Sequence, residues 1–492
     1  MSRFVLLTAL CSLLWACKTE TKNAPPPIDP PIALGPLPTQ AQLDWHDMQY
    51  YMFVHFNMNT FTNKEWGYGD ESPETFNPSE LDTRQWARIA KEAGMKGIIL
   101  TAKHHDGFCL WPSAYTDHSV KNSSWNEGKG DVVKELAEAC KEYGLKMGLY
   151  LSPWDRNHAQ YGEQEYLEYF HNQIRELLSN YGEVFEFWFD GANGGDGYYG
   201  GANETRKVDR KAYYKWSETF ALVHELQPNA LIFSDGGPDI RWVGNEKGFA
   251  NEENWSLLRK EEVYPGYPDY KELTTGHYDG TDWVPAEVDV SIRPGWYYHP
   301  EQDTMLKSVD QLMDIYYKSI GRNANLLLNV PADTRGKIAA VDSARLMEFA
   351  AAIEKDFPQD IAFGKRVTTY STYESHPDFM GSQANDGDYN TYWATDKNSN
   401  SNYAVLELGT PKYFNRILLQ EYVPLGQRVD SFYVAARIGG EWDMLDWGCS
   451  IGYKRIIKLD QPAYTHRLIL DLVSAKGPPI IANWEVYMAP EE

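Results

Sequence analysis

The chain has 492 residues, 42% hydrophobic and 14% aromatic, with a formal net charge of −24 at pH 7. This length and apolar content support two or three packed domains, and the acidic balance excludes nucleic acid, whose phosphates demand a basic surface. Seventeen Trp and 33 Tyr are a heavy load; core packing accounts for most of them, and stacking on sugar rings is the other use of such faces.

Residues 1–16 read as an export signal. Met1-Ser-Arg supplies a short positive start, and Phe4 to Trp15 is an apolar stretch too short to span a bilayer. Leu14-Trp15-Ala16-Cys17 resembles a bacterial lipoprotein cleavage box, which would make Cys17 the lipidated first residue of an exported protein, periplasmic or anchored at the outer membrane. Membrane association is expected only through that lipid, because no later segment is apolar for long enough to cross. Residues 17–43, rich in Pro, read as a semi-rigid tether that does not pack. Cys109, Cys140 and Cys449 remain, an odd number without ligand-like spacing, so neither a disulfide framework nor a zinc site is expected.

From 44 to 358 the chain alternates strand-like and helix-like segments. Residues 51–56, 97–104, 146–152, 184–190, 230–235 and 325–330 are short buried strands, and Thr83–Ala93 and Asp131–Lys141 are helices closed by Gly94 and Gly144. That order gives parallel βα units and an α/β fold, an irregular (β/α)8-like TIM barrel in which the helical signal fades around 240–300. From 359 to 492 the texture changes to alternating runs separated by polar turns (368–372, 403–409, 414–421, 431–436, 466–471), an all-β sandwich. Its segment Ala384-Asn-Asp-Gly-Asp-Tyr-Asn-Thr-Tyr-Trp-Ala-Thr is similar to the early loop of discoidin-like sandwiches, many of which bind sugars or calcium; a domain that only braces the barrel is the other reading.

The strand ends hold the chemistry. In Val184-Phe-Glu-Phe-Trp-Phe-Asp-Gly an apolar run stops at one acid followed by glycine, which is how a parallel barrel presents a carboxylate at its mouth. Asp190 is therefore a candidate nucleophile, an N-cap of the next helix being the alternative. His55 with Asn57 and Asn59 closes the first strand, Glu65-Trp66-Gly follows in its loop, Lys103-His104-His105-Asp106 closes the second, and Tyr150 and Trp154-Asp155 end the third. The paired histidines lack a metal-ligand pattern, so hydrogen bonds to substrate hydroxyls are expected and no metal.

His55-Phe-Asn, Glu65-Trp66-Gly, Lys103-His104-His105-Asp106-Gly-Phe, Gly148-Leu-Tyr150, Trp188-Phe-Asp190-Gly and Ile292-Arg293-Pro-Gly-Trp296, in this order, resemble the family 29 α-L-fucosidases. The resemblance implies a retaining glycosidase in which Asp190 is the nucleophile. His55, Glu65, Trp66, His104, His105, Tyr150, Trp188, Arg293 and Trp296 would form the fucose pocket. Gly237-Pro-Asp-Ile-Arg-Trp-Val-Gly-Asn-Glu246 resembles the subfamily that prefers α1,3- or α1,4-linked fucose, which makes Glu246 the acid/base; Glu287 is the competing candidate. The two carboxyls would then lie roughly 5–5.5 Å apart, with Glu246 kept partly protonated by apolar neighbours such as Trp242. The implied partners are fucosylated oligosaccharides or glycoconjugates, with no cofactor needed for catalysis; the discoidin-like resemblance leaves a structural calcium open for the sandwich alone. The rival readings are a non-catalytic carbohydrate-binding surface lipoprotein and another retaining glycosidase on the same barrel.

Overall fold

The computed structural model describes residues 26–490, so the expected signal segment and Cys17 lie outside the described residues. Eight parallel strands close into a barrel: β1 (Tyr50–Val54), β2 (Gly97–Lys103), β3 (Lys146–Leu151), β4 (Glu186–Trp188), β5 (Leu231–Ser234), β6 (Ile240–Trp242), β7 (Ala286–Ser291) and β8 (Ala324–Asn329). Each pairs with its neighbours in sequence, and β8 closes on β1 through the register Tyr50↔Leu326 to Phe53↔Asn329. From Pro31 onward the described chain is one compact unit.

The strands are buried on both faces, and their period of two sorts side chains between two cores. Met52, Val54, Ile98, Leu100, Leu149, Phe187, Ile232 and Val288 face outward onto the helices. Tyr51, Phe53, Ile99, Tyr150, Trp188, Leu231, Phe233, Ile240 and Leu327 fill the barrel itself. Trp45 and Met48, from a helix at Gln40–Met48, join that inner core at the N-terminal end of the strands. Among the described residues Trp45, Trp86, Trp111, Trp255, Trp393 and Trp484 are less than 2% exposed, whereas Trp66 and Trp447 are about half exposed.

Helices at Thr83–Glu92, Val132–Tyr143, Glu165–Asn180, Trp216–Leu226 and Val309–Lys318 make the crossovers, and Ala340–Asp356 follows β8. The two helices expected from sequence start where a carboxylate caps the first turn, Asp82 accepting from the Gln85 N–H and Asp131 from the Lys134 N–H. Each such cap contributes about 1 kcal/mol. The second ends at Gly144 (φ +66°), in the left-handed conformation that glycine adopts without strain.

The irregular sector lies where the helical signal faded. β5 and β6 run parallel, yet only residues 235–239 join them, where parallel neighbours ordinarily need a crossover of a dozen residues or more. Between β6 and β7 the chain forms a short antiparallel pair (Leu257–Leu258 with Asp282–Trp283) and a 3₁₀ turn, with no α-helix.

The C-terminal part is one antiparallel sheet of seven strands. The runs expected at 403–409 and 414–421 belong to a single strand, Tyr403–Glu421, whose register against Arg455–Ala475 breaks between Glu407 and Lys412 and again between Phe414 and Arg416. Such breaks bend a strand, and side chains from both halves, Leu406 and Ile417 among them, enter one core with Trp393, Leu468 and Trp484. In the 384–395 loop Asp386 accepts from the Asp388 N–H and the Thr391 hydroxyl, and Asp388 from Asn390, so these carboxylates close the loop's own turns.

The sheet docks on the irregular sector: the Asn254 N–H donates to Ser450 Oγ, the Ser256 N–H to Gln427 Oε1, and Trp255, Leu257 and Trp283 pack with Val423 and Tyr453. The tether expected through residue 43 is shorter than that. The Leu34 N–H donates to the Leu425 carbonyl, Arg428 donates to the Ile32 carbonyl, and a capping box at Thr39 starts the first helix at Gln40. Pro content alone did not show that these backbone groups find partners on the sheet. Among the described residues no helix is long and apolar enough to cross a membrane, and Cys109, Cys140 and Cys449 are free.

Candidate active site

At the C-terminal mouth of the barrel a cavity of about 440 Å³ is lined by His55, Trp66, His104, His105, Tyr150, Trp188, Asp190, Trp242, Glu246 and Trp296, together with Phe53, Gly191, Ala192, Asp235 and Asp289. Alternation along the strands puts them there: 51, 53 and 55 climb the inner face of β1, and 186, 188 and 190 that of β4, so each third member reaches the rim. Asp190 is not a helix N-cap, for the 3₁₀ turn that follows it starts at Tyr199 and the next α-helix at Trp216. Its Oδ2 accepts from the Tyr150 hydroxyl at 2.9 Å and its Oδ1 from the Ala192 N–H at 2.7 Å.

The histidines are held as neutral hydrogen-bonding groups. His55 Nδ1–H donates to Asn329 Oδ1 at 2.8 Å, an amide fixed in turn by donating to Ser291 Oγ and the Trp296 carbonyl. Burial pulls the His55 pKa down to about 3, leaving Nε2 with a lone pair to accept a hydroxyl. His105 Nδ1 donates to Ser152 Oγ at 2.7 Å and sets Nε2 3.7 Å from Asp190 Oδ2. His104 stacks on Tyr150 (5.6 Å between ring centres, 11° between planes) and its Nδ1 is buried without a protein partner. Burial lowers the pKa of both. His104, His105 and Asp190 bring ligand atoms within 4.8 Å of one another, the one metal-like grouping among the described residues. His105 Nδ1 and both Asp190 oxygens are already committed to protein groups, an arrangement better suited to reading sugar hydroxyls.

Four carboxyls share the cavity, and three are driven toward the neutral form. Burial, then the charge of Asp190, raises Asp235 to about 7 and raises Glu246. Burial, then Glu246, raises Asp289 well above the usual range. Glu246 opens into the cavity, but the protein packed around it withholds enough solvent to disfavour its charge. At Gly191 a Cβ would come within 2.1 Å of Asp235 Oδ2, so glycine is what lets the two acidic loops approach.

The α-L-fucosidase family profile matches residues 35–356. The chain belongs to this family, glycoside hydrolase family 29. It is 42% identical over 464 residues to α-L-fucosidase 1 of Arabidopsis thaliana, covering 93% of this chain and 88% of the plant protein. The structure of a family 29 glycoside hydrolase from an unknown rumen bacterium superimposes with a TM-score of 0.84 at 48% identity, covering 94% of this chain and 78% of that one. A Ruminococcus gnavus family 29 fucosidase solved in complex with fucose matches with a TM-score of 0.84 at 29% identity over 94% of this chain and 97% of its own. The chain is thus an α-L-fucosidase, and glycoside hydrolases of this family need no cofactor for catalysis.

In this fucosidase three residues expected at the site sit elsewhere. Arg293, expected to touch substrate, is buried behind the cavity in ion pairs with Asp342 (2.9 Å) and Asp303 (2.8 Å). Glu65 does not line the cavity; its carboxylate accepts from the backbone N–H groups of Trp296 and Tyr297 and from His299 Nε2, and so fixes the loop that presents Trp296. Glu287 lies one two-residue step below Asp289 on β7, fully buried against Tyr51, Glu186 and Trp188, and has no access to the cavity. Asp235 and Asp289 went unread, although Asp235 ends the fifth expected strand as Asp190 ends the fourth. Asp289 alternates with Glu287 in a strand whose polar residues masked it.

Proposed function

We propose that the enzyme is a retaining exo-α-L-fucosidase that releases α1,3- or α1,4-linked fucose from branched glycans. The observation that supports this most is one cavity holding two carboxyls in opposite settings. Asp190 is met by hydrogen-bond donors, as a nucleophile that must be ionised requires, and Glu246 is pushed toward protonation, as a proton donor requires. Asp190 would attack the anomeric carbon while Glu246 protonates the departing oxygen; Glu246, now a carboxylate, would then take a proton from the water that hydrolyses the glycosyl ester. Trp66, Trp188, Trp296 and Tyr150 offer apolar faces to the sugar's methyl group, and His55, His104 and His105 offer partners to its hydroxyls.

The product's anomeric form tests this reading. NMR of the first turnovers should show α-L-fucose before mutarotation, and β-L-fucose first would replace double displacement by a single inversion. The N-terminal signal and Cys17 support export and lipid anchoring, and a Cys17→Ser variant should then leave the membrane fraction. The similarity of residues 384–395 to discoidin-like loops supports a C-terminal β domain of that kind.

A further inference from the structure

Beneath the cavity the barrel holds two acids with no cation. Glu186 and Glu287 are both fully buried, and among the described residues no lysine or arginine pairs with either. Around them the barrel is filled by Ile99, Leu231 and Leu327, and apolar chains would fill these two positions at lower cost. Burial raises both carboxyls, Glu186 further by the charge of Glu287 beside it, and Glu287 accepts from two side chains, Tyr51 and Trp188.

The donors around the pair show where it acts. Trp45 Nε1 donates to Glu186 Oε2 at 3.0 Å, and the Tyr51 hydroxyl donates to Glu287 Oε2. Both belong to the closed end of the barrel. The third donor is Trp188, whose Nε1 reaches Glu287 Oε1 at 2.9 Å, and Trp188 is a wall of the cavity. Its indole lies flat on Phe233 (4.0 Å between ring centres, 8° between planes) and against Tyr150 (5.2 Å, 26°), and the Tyr150 hydroxyl holds Asp190. A ring stacked on both faces can still slide or turn in its plane, and only a bond at its edge stops that.

We infer that Glu287 is a positioning residue of the fucose site: by accepting from Trp188 Nε1 it fixes the in-plane orientation of the indole, and through the stacked Tyr150 the placement of Asp190. The inference rests on the cavity being where fucose binds.

Three variants test it, with KM, kcat and the inhibition constant of free L-fucose measured on an aryl α-L-fucoside. Glu287→Gln keeps an oxygen that can accept from Trp188 and should stay within about threefold of wild type in all three constants. Glu287→Met, close in volume but without an acceptor, should weaken fucose inhibition and raise KM at least tenfold, with a smaller loss in kcat. Trp188→Phe removes the donor from the other side and should weaken fucose binding by a similar factor; combined with Glu287→Met it should add little, because both break one bond. If Glu287→Met does not fold, Trp188→Phe with unchanged fucose binding overturns the inference by itself. A folded Glu287→Met with wild-type KM, or a Glu287→Gln as impaired as Glu287→Met, also overturns it, the first reducing the pair to a packing element and the second making its charge the active property. A wild-type protein that neither cleaves the fucoside nor binds fucose would remove the cavity assignment and this inference together, whereas failing variants of an active wild type remove the inference alone.

Discussion

Replacing Asp190 by Ala separates catalysis from folding. The side chain sits at the rim, its surface about a quarter exposed, so truncation opens no core void. It removes the acceptor of the buried Tyr150 hydroxyl, a cost of about 1–3 kcal/mol, and an acceptor of the Ala192 N–H. Against this, Asp235 and Glu246, both pushed up by the Asp190 charge, are relieved. The net effect should be a Tm lowered by a few degrees at most. Loss of the proposed nucleophile should lower kcat by about 10,000-fold, equivalent to about 5.5 kcal/mol. Initial rates on an aryl α-L-fucoside and a thermal melt of the same preparation measure the two sides. A variant that keeps more than about a hundredth of the wild-type kcat refutes the nucleophile assignment; one that no longer melts cooperatively refutes the claim that the rim carries no packing load.

Other consequences follow from the same cavity. Glu246→Ala should lose little in the first step with an activated aryl leaving group and much more with a natural glycan, and azide should restore turnover; rescue at Glu287→Ala in its place would reverse the two residues' roles. If Glu246 is the proposed acid it must be protonated, so kcat/KM should fall as pH rises through its raised pKa, and Glu246→Gln should flatten that limb. Asp235, raised to about 7 when folded, contributes stability fully present below about pH 3.9, its unfolded value, and lost as pH rises toward 7. Asp235→Asn should therefore raise Tm more at pH 8 than at pH 4, and an equal change at both would contradict the shift. Lewis-type trisaccharides should be cleaved at least about tenfold better than an unbranched α1,2-fucosyl disaccharide, a preference worth about 1.4 kcal/mol; equal rates would reject the linkage reading and leave the fucosidase intact.

What the sequence made legible tracks how each feature is stabilised. The six strands found from sequence are predominantly apolar runs, with at most one or two polar residues each. The two missed are Ile240–Trp242, only three residues long with Arg241 turned outward to the Leu273 and Val284 carbonyls and Asn254, and Ala286–Ser291, whose alternating Glu287 and Asp289 break up the apolar run that marks a buried strand. Motif order placed Asp190, His55, His104, His105, Tyr150, Trp66, Trp188, Trp296 and Glu246 around one cavity. It could not distinguish a residue that faces the cavity from one that holds its wall, because Arg293 is decided by Asp342, 49 positions away, and Glu65 by backbone N–H groups 231 and 232 positions away.

The sector where the barrel goes without helices has a practical meaning for anyone who cuts or grafts this protein. Elsewhere an amphipathic helix shields the strands from water; here the seven-stranded sheet does it, clasping the segment that begins a few residues after Glu246. Removing the sheet would strip Trp255, Leu257 and Trp283 of cover and loosen the segment that follows Glu246. The C-terminal sheet is thus less a passenger module than the barrel's missing flank, and a minimal fucosidase has to keep it.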